Sequence, residues 1–120
     1  MTVLLTVEDL LTLVEDLAVG PVRDVGLLES AAHRPGAVVY GHEAYSGLDR
    51  KAAALLDSLV GNHPLVDGNK RLGWLAVVVL YGLNDVDLDA PDNPAYDLVI
   101  AVARRDVTID EIATAIACWH

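Results

Sequence analysis

The run from Leu72 to Leu83, LGWLAVVVLYGL, holds twelve consecutive residues without a charge. As a helix it is about 18 Å long, too short to span a bilayer, so its apolar surface has to be buried in protein. The Val77-Val78-Val79 stretch at its centre favours a strand by propensity. The whole block from Asn69 to Leu83, however, has fifteen residues, which exceeds an ordinary strand. Length decides for a central helix buried on most sides, and such a helix requires other elements with an apolar face to cover it.

The rest of the chain supplies those covers, and its punctuation marks where each begins and ends. Thr6 with Asp9 fits a capping box. Val7, Leu10, Leu11, Val14, Leu17 and Ala18 follow as one stripe before Gly20-Pro21. Asp24 opens a second helix through Leu27, Leu28 and Ala31, closed by Arg34-Pro35-Gly36. Ser46 with Asp49 opens a third, carrying Ala52, Ala53, Leu55, Leu56, Leu59 and Val60 and ending at Gly61-Asn62. Asn93-Pro94 and Thr108 with Glu111 start two C-terminal helices. Ala37 to Tyr45 lacks helix signals and reads as a short extended flap. With no repeat or linker, the expectation is an all-α single domain over residues 1–120: a compact bundle of about six helices around a buried central one.

Composition bounds the function. At 53% hydrophobic and 22% charged residues the chain is too apolar to be disordered. Eighteen acids against eight bases give a net charge of -10. That field repels phosphate backbones and anionic lipid, so neither nucleic acid nor membrane is expected as a direct partner. One cysteine, Cys118, excludes an internal disulfide framework and a cysteine-based zinc site. The opening MTVLLTVEDLL has no basic n-region and is not a signal peptide, and a cytoplasmic location is expected.

Only one segment has a composition the fold does not demand: His63 to Arg71, HPLVDGNKR, between two apolar helices. A helix starting near Gly68 or Asn69 directs its free N–H groups into the preceding loop, where they and the helix dipole suit a phosphate. Lys70 and Arg71 fall in that first turn, where cations oppose the dipole and stability alone favours Asp or Glu. A phosphate supplies the missing anion, with Arg71 able to hold two oxygens and Lys70 acting as a point charge. Asp67 can hold Mg2+ bound to the same phosphates. His63 can accept a proton from an attacking hydroxyl. The purely structural alternative is a capped helix entry, with His63 and Asn69 bonding the loop and Asp67 paired to Arg71.

At these residues the chain resembles the Fic/Doc superfamily, whose signature is a His, a bulky apolar residue two positions on, an acid, then Gly-Asn before basic residues. HPLVDGNKR is similar to the Doc-like (death-on-curing) toxin form, and VRDVGLLESAAHRP at Val22 to Pro35 is similar to the stretch that follows the first helix in those proteins. The resemblance implies the toxin of a toxin–antitoxin module: a protein kinase that uses ATP and Mg2+ to phosphorylate a threonine of an EF-Tu-like translation factor, and is held by a Phd-like antitoxin. It implies His63 as the base, Asp67 as the metal ligand, Gly68 and Asn69 as the anion-binding turn, and Lys70 and Arg71 as phosphate binders. Lys70 stands where AMP-transferring relatives carry a second Gly, and Trp74 where they carry a second Arg. Both departures argue against AMP transfer, which is the alternative activity; a non-catalytic nucleotide-binding relic is the other. Leu65 replaces the usual Phe that wedges the loop into the core and is expected to loosen the loop slightly. Self-inhibited relatives place a Ser or Thr four residues before a Glu, a spacing this chain lacks, so control is expected from outside.

Other polar features have plainer explanations. Asp85, Asp87 and Asp89 alternate like a calcium loop, but Ala90 and Tyr96 occupy the positions of its Gly and Glu. Trp74, Tyr81 and Leu83 read as core, and Arg50-Lys51 and Arg104-Arg105 as solvated pairs. His120 reads as frayed.

Overall fold

The computed structural model describes residues 1–120. Six helices follow in order: α1 (Val7–Leu17), α2 (Val25–His33), α3 (Leu48–Gly61), α4 (Asn69–Leu83), α5 (Asp92–Ala103) and α6 (Ile109–Ala117). Between α2 and α3 lie a 3₁₀ turn, Arg34–Gly36, and a two-stranded antiparallel hairpin, β1 (Val38–Val39) and β2 (His42–Glu43). The all-α expectation and the extended flap are both borne out. No helix is long and apolar enough to cross a membrane.

The apolar run forms α4, and none of its residues from Leu72 to Tyr81 is solvent-exposed. It shares the centre with α3, which is more thoroughly buried and packs against α2, α4, α5 and α6. The two central helices meet at Gly73, where a β-carbon would sit 2.5 Å from the Val60 side chain. Only a glycine lets the backbones approach that closely. Around this pair Leu10, Leu28, Leu98, Val102, Ile112 and Ile116 complete one core cluster. Burial of each such side chain contributes roughly 1.5–3 kcal/mol.

Local signals set most of the helix starts. Thr6 with Asp9 and Thr108 with Glu111 form reciprocal capping boxes, and Asp24 accepts from the Leu27 N–H at 3.2 Å. Two expected caps are displaced. Ser46 makes no cap; α3 starts from Gly47, and Asp49 instead bonds Tyr81 from the opposite central helix. Asn93 lies inside α5, which starts from Pro91 two residues earlier. The hairpin turns at Tyr40 and Gly41, both with positive φ, the combination that matches strand twist in a two-residue turn.

Candidate active site

The loop between α3 and α4 is fixed from both sides by backbone. The segment joining α1 to α2 runs alongside it. Gly20 N–H donates to Asp67 O (3.0 Å), Val66 N–H to Pro21 O (2.9 Å), and Arg23 and Asp24 N–H both to Pro64 O (2.8 and 3.1 Å). Leu65 is the plug, 1% exposed. Although smaller than Phe, it is fully buried, and its own backbone is hydrogen-bonded. The buried Asn69 side chain reaches back from α4, accepting from Leu65 N–H at 2.9 Å and donating to Leu65 O at 3.0 Å. Asn69 is thus committed to the loop, and only its backbone N–H faces an incoming anion.

His63 leaves this frame in the left-handed conformation, φ 55°, which costs a residue with a β-carbon of order 1–3 kcal/mol. Arg23 holds it there. Its guanidinium donates to His63 O from Nε (2.9 Å) and from Nη2, and to Asn62 O (3.2 Å). The imidazole projects to the exposed side, with Nδ1 3.1 Å from Gly61 O. A carbonyl only accepts, so Nδ1 carries the proton in that bond and the Nε2 lone pair of the neutral ring faces outward. That is the tautomer a base needs.

Gly68 turns the chain into α4 with φ 93°. A β-carbon there would come within 2.4 Å of Val19, so position 68 admits no side chain on two independent grounds. Beyond it, the backbone N–H groups of Asn69, Lys70 and Arg71 have no protein acceptor. Neither Lys70, Arg71 nor Asp67 has an ion-pair partner; of the other cations Arg104 alone is likewise without one, whereas Arg23, Arg34, Arg50, Lys51 and Arg105 are bonded to protein groups. The Asp67–Arg71 pair of the structural alternative does not form. His63, Asp67, Gly68, Asn69, Lys70 and Arg71 together line one cleft of about 390 Å³. All six residues expected at the site therefore converge. Asp67 is the sole carboxylate lining that cleft. An exposed, unpaired carboxylate beside two free cations suits Mg2+ carried in with phosphates, which needs only one or two protein oxygens.

Four residues, Tyr96, Trp74, Arg105 and Arg23, act in this region in ways the sequence does not signal. Tyr96 of α5 lines the cleft and also the adjoining apolar hollow of about 320 Å³, which is bounded by Lys70, Arg71, Trp74, Val99 and Ile100. Trp74 is therefore half-buried wall, packed edge-on to Trp119 at 6.2 Å, and not interior core. Arg105 is half exposed yet anchored, its Nη2 donating to Gly61 O and to Asn62 Oδ1, both at 2.7 Å. Lys51, by contrast, is buried and bonded to Tyr45 O and Glu43, and Leu83 is exposed rather than core. Arg23 and Arg105 both act across more than 35 residues of chain, where no local pattern shows them. His120 is likewise not frayed. Its Nε2 lies 2.6 Å from Asp49 Oδ1, which also accepts from Tyr81 Oη at 2.6 Å. Burial first, and then Asp49, push the Tyr81 phenol well above its ordinary range.

Comparison with known proteins agrees with this geometry. Residues 4–81 match the model of the Fic/DOC family, a span that contains α1 to α3, the whole loop and nearly all of α4. The chain is also 48% identical to the protein named Toxin Doc of Mycolicibacterium smegmatis, over 122 aligned positions covering 98% of this chain and 93% of that one. The loop that builds the cleft lies within the matched span, and the chain belongs to the Fic/DOC family.

Proposed function

We propose that this protein is the toxin of a toxin–antitoxin module and acts as a protein kinase, moving the γ-phosphoryl group of Mg-ATP to a threonine of an EF-Tu-like translation factor. The observation that carries this is the start of α4, where unpaired Lys70 and Arg71 stand beside three free backbone N–H groups and face His63 in one cleft. In a protein of net charge -10, two cations left without anions beside a base are built for an anionic substrate.

Each residue has a step that follows from its position. The α4 N–H groups and Arg71 clamp phosphate oxygens, and Lys70 adds charge where it builds up as the group is transferred. Mg2+, when bound, supplies charge neutralisation between neighbouring phosphates, with Asp67 as its protein ligand. Nε2 of His63 accepts the proton of the threonine hydroxyl as it attacks, while Gly61 O steadies the resulting imidazolium through Nδ1–H. The bulk and charge of Lys70, together with Trp74 in place of a second arginine, orient the nucleotide with its γ-phosphate toward His63. This favours phosphoryl over AMP transfer. The absence of a Ser/Thr-to-Glu inhibitory spacing supports control by a partner, a Phd-like antitoxin whose disordered C-terminal segment folds on binding.

Expression of the chain alone is expected to arrest bacterial growth, and His63→Ala is expected to abolish the arrest at equal protein level. Equal arrest by the variant would remove His63 from the mechanism.

A further inference from the structure

Arg105 lies outside the family-matched span and does not line the cleft, yet it touches the two residues that precede His63. It follows the end of α5, and its own left-handed backbone, φ 57°, swings the guanidinium back over the end of α3. There Nη2 bonds Gly61 O and Asn62 Oδ1, and Nη1 stands 3.9 Å from Asp57 Oδ1, one turn earlier in α3. Gly61 makes room for it: a β-carbon at that position would lie 3.1 Å from the guanidinium carbon and from both terminal nitrogens. Gly61 O is among the last carbonyls of α3 and has no acceptor role inside the helix. It receives Arg105 on one side and His63 Nδ1 on the other.

We propose that Arg105 is a positioning residue which sets the working tautomer of His63. By holding the Gly61 carbonyl in place, it keeps an acceptor in front of Nδ1. The ring proton then stays on Nδ1 and the Nε2 lone pair faces substrate. Without Arg105 the carbonyl is free to turn to water, and the ring reverts to the Nε2–H form that a free histidine side chain prefers. That form offers substrate a donor in place of a base.

The catalytic consequence rests on the kinase reading, but the tautomer does not, so the two are read separately. In ¹⁵N-labelled protein at a pH where the imidazole is neutral, the ring nitrogen shifts of His63 report which nitrogen carries the proton. Wild-type protein is expected to show the Nδ1–H form and Arg105→Ala the Nε2–H form, with unchanged circular dichroism because the Arg105 side chain is half exposed. Asn62→Ala removes the other acceptor of Arg105 while sparing Gly61, and is expected to keep the wild-type tautomer. An Arg105→Ala protein that retains the Nδ1–H form would overturn the proposal. So would an Asn62→Ala protein that shifts as far as Arg105→Ala, because the effect would then be general loosening of the loop. In the transfer assay, kcat of Arg105→Ala is expected to fall roughly 10- to 100-fold with KM for ATP unchanged. A rise in KM with kcat intact would also contradict it. If the tautomers behave as expected but wild-type protein transfers no phosphate, the kinase reading fails and the positioning role stands.

Discussion

The start of α4 and the starts of α1 and α6 are the same structural problem solved in opposite ways. At α1 and α6 a threonine and an acid three residues on satisfy the free N–H groups reciprocally, and two acids occupy each first turn. At α4 no side chain caps the helix and no acid lies in the first turn, which carries two cations. Every other helix has at least one of these devices: Asp24 caps α2, Asp49 lies in the first turn of α3, and Asp92 in that of α5. A side-chain cap or a first-turn acid is thus present wherever a helix only has to be stable, and both are missing together only at the helix start that lines the motif cleft. Stability forgone at one helix end is what leaves that end free to bind.

The contrast is broken most severely at His63. In vitro, His63→Ala is expected to lower transfer by roughly 10²- to 10⁴-fold, the range for removal of a general base, while the melting temperature holds because the side chain is exposed. A rate within tenfold of wild type would show that the base lies elsewhere.

Lys70→Glu turns the start of α4 into one like that of α6. It is expected to weaken Mg-ATP binding by roughly 10- to 100-fold, through loss of a charge-assisted contact and gain of repulsion. The same change is expected to stabilise the fold by about 0.3–1 kcal/mol, because an acid now complements the dipole. Calorimetric titration and thermal melts read the two signs, and a stability loss with unchanged binding would refute the comparison. The reciprocal change, Thr108→Ala, is expected to cost about 1 kcal/mol of stability with kcat unaltered. Loss of activity beyond that explained by unfolding would mean that α6 is more than support.

The smallest effect is in pH dependence, away from the cleft. The folded state holds the Tyr81 phenol pKa above its unfolded value near 10, so the native state keeps a proton that the unfolded chain releases. Stability from this group is therefore complete below about pH 10 and declines as pH rises above it. Thermal melts from neutral to alkaline pH are expected to fall more steeply for wild type than for Tyr81→Phe. Parallel curves would deny that burial and Asp49 raise the phenol.

What could be read in the chain was whatever the chain encodes locally. Capping boxes span four residues, the flap folds about its own turn, and the nine residues of the motif carry their chemistry in sequence order. Ser46 and Asn93 misled because position alone does not distinguish a cap from a neighbour of one: Asp49, the apparent partner of Ser46, serves Tyr81, 32 residues on. Arg23 and Arg105 reach the loop from elements 39 and 43 residues away from Asn62. Tyr96 reaches the cleft only because α5 packs against α4. These depend on tertiary placement, and the sequence signals each merely as an arginine or tyrosine near a helix end.

The central claim is that the uncapped start of α4 holds the nucleotide with its terminal phosphate toward His63. Purified protein, Mg2+ and an EF-Tu-like factor incubated with ATP labelled at either the γ or the α position tests it directly. Label is expected on a threonine of the factor from γ-labelled ATP alone, and to disappear with His63→Ala. Label arriving from the α position instead would contradict the account and make the reaction an AMP transfer.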